Sequence, residues 1–425
     1  MSADAGMRLT RLQNGVRVVT DQMAHVDSAA IGIFVATGSR AERDDEHGLA
    51  HFLEHMAFKG TATRSARDIS EEIERVGGEI NASTSVETTA YHARVLSEDV
   101  PLALDILTDI VKNPRFDAQE VERERGVILQ EIGAAEDMPE DRAFDAFPEA
   151  AFRGAPLGRR ILGTRTAIEA TSREALAAFF ARTYAPNAMT VAAAGAVDHD
   201  AIVAALDGRL GDAPGGKPVD AARYTGGTVG EASDGAEAHV IVGFEGLPAA
   251  AKTSAAAQVA AVALGGGMAS RLFLALREER GLVYDTSAFH WAFADTGVFA
   301  LHFATGPETA DEATAVALGA LTDLSHRPGE AEVARAKAQL RAGLLMSREN
   351  CASRMGQAAR SLIVHDRVLT RDERLETLAA VTPEDVATFL SAALETPPTL
   401  TVVGADTAAL DARVKGSLPP TMGAA

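Results

Sequence analysis

The second half of this chain repeats the order of the first, at an offset of roughly 210 residues, half the total length. Thr171-Ser172-Arg173-Glu174 with Phe179 precedes Pro186 and the Thr190-Val191 strand. Thr382-Pro383-Glu384-Asp385 with Phe389 precedes Pro397-Pro398 and the Thr401-Val402 strand. A period this long is a duplicated domain rather than a solenoid unit. The Gly- and Pro-rich stretch from Gly211 onward reads as a linker. The expected division is residues 1–212, a linker at 213–227, and residues 228–425. In the first half, strands fall near 7–12, 16–20 and 29–36, with a hairpin turn at Asn14-Gly15. Helices are expected near 46–58 and 65–76, the second capped by Ser65 and stopped by Gly77-Gly78. Thr, Tyr and Val cluster in strands at 79–84 and 88–96, and helices follow at 98–112, 117–137 and 139–152. The expected fold class is α+β: two similar domains, each a largely antiparallel sheet with helices packed on one face.

The 425 residues include 47% apolar and 24% charged residues, in the range of a globular enzyme. The net charge of −20 argues against nucleic acid as a partner, since phosphate binding needs clustered Lys and Arg. The single cysteine, Cys351, excludes an intrachain disulfide and a cysteine-based zinc finger. No window reaches the ~18 consecutive apolar residues of a membrane span. Residues 1–22 lack the apolar core of a targeting peptide. The expectation is therefore a cytoplasmic protein without a membrane partner.

His51 and His55 are four apart, which places both on one helical face. Two imidazoles so placed can reach one Zn2+. Glu54, one residue before His55, can project toward the same ion and hold a water. A catalytic zinc takes three protein ligands and keeps an open position, so a downstream carboxylate is required. Glu124 and Glu131 lie two helical turns apart on one face, their Cα atoms about 10 Å apart, too far for both to be equal ligands. One should bind the metal and the other should orient a ligand or the water.

In this setting the chain resembles the pitrilysin family of zinc peptidases, and most closely its mitochondrial-processing-peptidase branch. The family's inverted zinc motif appears within Gly48-Leu49-Ala50-His51-Phe52-Leu53-Glu54-His55-Met56-Ala57-Phe58-Lys59-Gly60, preceded by Gly38-Ser39-Arg40-Ala41-Glu42. The resemblance continues through Gly77-Gly78-Glu79-Ile80-Asn81-Ala82-Ser83-Thr84, Ser270-Arg271-Leu272-Phe273, Arg277 to Tyr284 and Ser353-Arg354-Met355, nearly the whole chain. It implies a processing-peptidase-like metallohydrolase fold with one Zn2+ per chain. His51, His55 and Glu131 resemble the ligands, Glu54 the general base, and Glu124 the carboxylate behind a ligand. Arg277 and Tyr284 resemble a pair that contacts substrate near the scissile bond. Asn81, Ala82, Ser83 and Thr84 resemble the edge strand on which a peptide is laid. Asp141 and Asp145 resemble acidic residues that bind an arginine near the cut. Ser83 stands where the family often has an aromatic residue, which changes the adjoining pocket. The Gly265-Gly266-Gly267 stretch is far shorter than the glycine-rich loop of the non-catalytic mitochondrial subunit.

The activity implied is endopeptidase cleavage of extended peptides or presequence-like segments in a closed chamber. The rival readings are a non-catalytic scaffold subunit and a zinc hydrolase of non-peptide substrates. Two domains per chain, against four in the family's long members, imply a homodimer whose sites are completed in trans by Arg277 and Tyr284 of the partner.

Overall fold

The computed structural model describes residues 6–212, 220–233 and 235–418; residues 213–219 of the expected linker lie outside them. The described elements begin with β1 (Met7–Arg11), β2 (Arg17–Gln22), β3 (Ser28–Val35), α1 (Leu49–Ala57), α2 (Ala66–Arg75), β4 (Glu79–Thr84) and β5 (Thr89–Leu96). Next come α3 (Val100–Lys112), α4 (Ala118–Asp137), α5 (Pro139–Ala151), α6 (Arg165–Ala170), α7 (Arg173–Thr183), β6 (Met189–Gly195) and α8 (His199–Leu206). The second half supplies β7 (Gly227–Glu231), β8 (Ala238–Gly246), α9 (Ser254–Gly265), β9 (Val283–Ala292), β10 (Gly297–Thr305) and α10 (Ala310–His326). It ends with α11 (Glu330–Ser347), α12 (Cys351–His365), α13 (Arg371–Ala380), α14 (Pro383–Leu394), β11 (Thr399–Val403) and α15 (Thr407–Ser417).

Local signals account for many of these ends. Ser65 caps α2 with a reciprocal bond to Asp68, and Thr382 caps α14 in the same way with Asp385. Ser172 caps α7 at the position equivalent to Thr382. Gly15, at φ +90°, turns β1 into β2.

The chain forms two compact units. One lies within Met1–Ile132, Arg159–Asp220 and Leu345–Arg371. Its sheet runs β1-β2-β6-β3-β5-β4, antiparallel except for β2 with β6. The other lies within Gly133–Gly158, Ala221–Leu344 and Asp372–Ala425. Its sheet runs β7-β11-β8-β10-β9, antiparallel except for β11 with β7. The fold is α+β with two similar units. The packing units depart from the sequence halves at two places: residues 133–158 pack in the second unit, and 345–371 in the first.

That exchange explains why helices cover both faces of each sheet, where one face was expected. β6 (MTVAAAG) and β11 (TLTVV) are buried at every position, the pattern of strands covered on two sides rather than of an alternating strand. The main core of the first unit joins Ile31, Ile33, Leu53 and Tyr91 to Leu104 and Phe179. On the opposite face, Cys351, Met355 and Leu362 of α12 meet Val19, Ala30, Ala192 and Ala194. Arg354 of α12 donates two bonds to Asp21 at 2.6 and 2.7 Å, so this buried carboxylate is paired. In the second unit Phe147 of α5 lies so close over Gly243 that an added Cβ would come within 2.4 Å of its ring. Among the described residues no helix is long and apolar enough to cross a membrane.

Candidate metal centre

α1 divides its residues by depth. Leu49, Ala50, Phe52, Leu53, Met56 and Ala57 are buried, and His51, Glu54 and His55 lie half-buried on the other side. Its first turn has no side-chain cap of its own, since Gly48 (φ +90°) occupies that place. Glu42 supplies the cap from the preceding loop. Its carboxylate accepts the Gly48 N–H at 3.0 Å and the Ala50 N–H at 2.8 Å. Burial pushes Glu42 up to about 8, against the pull of those two N–H groups and of Arg159.

Glu131, from α4, reaches the imidazoles of α1. Its Oε2 lies 3.7 Å from His51 Nε2 and 3.5 Å from His55 Nε2. The three donor atoms all lie within 4.8 Å of one another. Two imidazole nitrogens and one carboxylate oxygen gathered so closely could hold a metal ion, and they are the donor types of a three-ligand zinc site. Burial, and then His55, push His51 down to about 4, so its ring is neutral, as a ligand must be.

Glu124, two turns before Glu131 and buried, faces the other side of His55. His55 Nδ1 lies 3.0 Å from Glu124 Oε2, and a proton donated there leaves Nε2 with its lone pair. Lys59 Nζ lies 2.8 Å from Glu124 Oε1, so the carboxylate is held between a cation and the ring. His51 Nδ1, by contrast, is buried without a partner among the described residues.

Glu54 turns toward the sheet edge. Thr84 Oγ1 donates to Glu54 Oε2 at 2.5 Å. Burial raises the Glu54 carboxyl, and the Thr84 hydroxyl opposes that shift. Asn81, Ala82, Ser83 and Thr84 form the end of β4, the outer strand of its sheet.

The remaining predicted site residues belong to the second unit. Arg277 lies in a π-helical turn, Phe273–Glu278, and its guanidinium carbon stands 5.1 Å over the Tyr284 ring and 4.9 Å over that of Phe273. Tyr284 is 79% exposed, so this pair presents an aromatic face and a cation to solvent. Asp141 is exposed and Asp145 half-buried on α5.

Reading the sequence missed two participants and the task of a third. Lys59 was visible only as a motif member four residues after His55. Glu42 sits in a loop, where no periodicity points to a helix it caps. Thr84 was read only as part of the strand, and its hydroxyl serves Glu54.

Residues 17–165 match the profile of insulinase, peptidase family M16, and residues 170–340 match that of the M16 inactive domain. This chain belongs to peptidase family M16. Among its M16 relatives, an uncharacterized zinc protease of Mycobacterium tuberculosis is 39% identical over 395 residues, covering 89% of both chains. One of Rickettsia felis is 34% identical over 399 residues, covering 93% of this chain and 97% of that one. One of Bacillus subtilis is 33% identical over 379 residues, with 88% and 92% covered. The crystal structure of a peptidase M16 inactive domain from Pseudomonas fluorescens superposes with a TM-score of 0.88 at 19% identity. It covers 94% of this chain and 98% of that one, a likeness of fold. The M16 profile without the inactive label spans His51, Glu54, His55, Glu124 and Glu131; the inactive-domain profile spans Arg277 and Tyr284.

Proposed function

We propose that this chain is a zinc-dependent endopeptidase, with one zinc per chain, that hydrolyses extended peptides laid along β4. The observation that carries this reading is the gathering of His51 Nε2, His55 Nε2 and a Glu131 carboxylate oxygen within 4.8 Å, with Glu54 on the same helix as the two imidazoles. Zinc, when bound, supplies a Lewis acid and brings the pKa of a water toward neutrality. Glu124 keeps His55 in the tautomer that can bind the ion. Glu54 accepts a proton from the attacking water and delivers it to the leaving amine. β4 adds the substrate as a further strand through backbone bonds, which makes sequence preference loose. Within the same proposal, Asp141 and Asp145 receive an arginine side chain of a presequence-like substrate.

The test is zinc content beside turnover of unstructured peptides. The expected result is one zinc per chain, activity lost to a chelator and restored by zinc, and Glu54→Gln that keeps zinc while turnover falls roughly 10²–10⁴-fold. Undiminished turnover in the zinc-free protein, or none across a broad peptide panel, contradicts the reading. Peptides with Arg replaced by Ala, tried against Asp141→Ala/Asp145→Ala, test the arginine contact: an unchanged preference dismisses it.

A further inference from the structure

We infer that Thr84, at the end of the peptide-binding edge of β4, is the positioning residue of Glu54: its hydroxyl aims the carboxylate. The inference rests on the reading of the site given above, and takes up what β4 does beyond holding substrate.

The direction of the backbone along β4 follows from its hairpin. Ser85 N–H donates to Thr88 O at 2.8 Å, so Ser85 turns its N–H toward the β5 side. Backbone direction alternates from residue to residue in an antiparallel pair. Ser83 and Asn81 therefore face β5, and Thr84, Ala82 and Ile80 face the free edge. One side-chain contact agrees with this parity: the Ala82 N–H meets Asn81 Oδ1 at 2.8 Å, an acceptor that is not part of β5.

The outward donors of Ile80 and Ala82 serve an added strand, the latter once the Asn81 amide oxygen gives way. The strand they belong to ends at Thr84, whose hydroxyl meets Glu54. The Thr84 hydroxyl, 2.5 Å from Oε2, occupies that oxygen and leaves Oε1 as the one that takes the proton. A carboxylate held by a hydroxyl does not rotate freely, and reactivity depends steeply on such placement.

Thr84→Val tests this, because valine keeps the β-branched shape a strand favours and lacks the donor. Steady-state kinetics on a peptide substrate would be measured beside zinc content and thermal midpoint. The expected result is a kcat lower by about 10- to 100-fold, part of the roughly 10²–10⁴-fold that a placed general base contributes. KM, zinc content and midpoint stay unchanged, and Thr84→Ser restores kcat. A valine variant with wild-type kcat overturns the inference. So does one whose loss lies in KM, one that sheds zinc or stability, or one that serine does not rescue. Glu54→Gln, assayed in parallel, separates the two levels. If it remains active the reading of the base fails; if it is inactive while Thr84→Val is fully active, only the role of Thr84 fails.

Discussion

At the scale of single residues, the candidate centre depends on which atom each group presents. Glu124 is 5% exposed, a depth at which a carboxylate needs partners for both oxygens. Lys59 and His55 each take one of its oxygens, so the lysine both balances the charge and turns the carboxylate toward the ring. Lys59→Met should therefore weaken zinc binding about 10- to 100-fold, as losses behind a metal ligand commonly do. Lys59→Arg should recover part of it. Competition against a chromogenic chelator measures this, and equal affinity in wild type and Lys59→Met would remove Lys59 from the centre. The four-residue spacing of His51 and His55, and the two-turn spacing of Glu124 and Glu131, were legible because helical geometry projects spacing onto a face. Spacing alone left open which glutamate meets the two Nε2 atoms, since only tertiary packing sets the register of α4 against α1; it was the family resemblance that singled out Glu131.

At the scale of elements, three strands of the second unit carry imidazoles, His239 of β8 and His302 of β10 buried and His290 of β9 half-buried. Burial pushes His302 of β10 down to about 4, with His239 beside it adding to the shift, and pushes His290 of β9 to about 4 as well. Their folded values lie below the unfolded 6.5, so both rings are neutral when folded and only the unfolded chain gains protons between those limits. Stability from these rings is level above pH 6.5 and falls as pH drops toward 4. The full shift at His302 amounts to about 3 kcal/mol. Glu245 of β8, raised by burial, offsets part of it. Trp291 is the single tryptophan, adjacent to His290 and packed against Phe144, Phe147 and Phe289, so its fluorescence reports this unit. The urea midpoint read from Trp291 should decline from pH 6.5 to 4.5 and hold steady from 6.5 to 7.5. A flat midpoint across the acid range contradicts it. The sequence places strands at 237–245, 282–290 and 296–304 in this half, close to β8, β9 and β10, and a helix at 269–279. It does not show the π-helical turn at Phe273–Glu278, because propensity does not distinguish the two helical hydrogen-bond patterns.

For the whole molecule, the chemistry-bearing residues divide between the units. His51, His55 and Glu131, the proposed zinc ligands, lie in the first, and Arg277 and Tyr284 lie in the second. Our proposal of a homodimer completed in trans has a direct test. His51→Ala and Arg277→Ala/Tyr284→Phe are each expected to be nearly inactive. Mixed under verified subunit exchange, they should recover activity, since one site of the heterodimer keeps both an intact donor set and an intact pair. Exchange without recovery, or an active monomer by light scattering, ends the proposal. Of the molecular plan, the duplication was legible in the echo of Ser172 and Phe179 by Thr382 and Phe389. The exchanged helices were not. The sequence reading expected helices on one face of each sheet, and nothing local in β6 says that a helix from the other half covers the second.

That exchange also bears on how the protein is made. A ribosome completes β6 at Gly195 and does not complete α12 until His365, roughly 170 residues later, or about 10–30 s at ordinary elongation rates. Throughout that interval Val19, Ala30, Ala192 and Ala194 have no α12 to cover them. The nascent first half therefore waits, with a greasy sheet face open to chaperones and to neighbouring chains, for its own distant sequence to emerge. Severing the gene between the halves should give two insoluble products when they are expressed apart and a soluble pair when they are translated together.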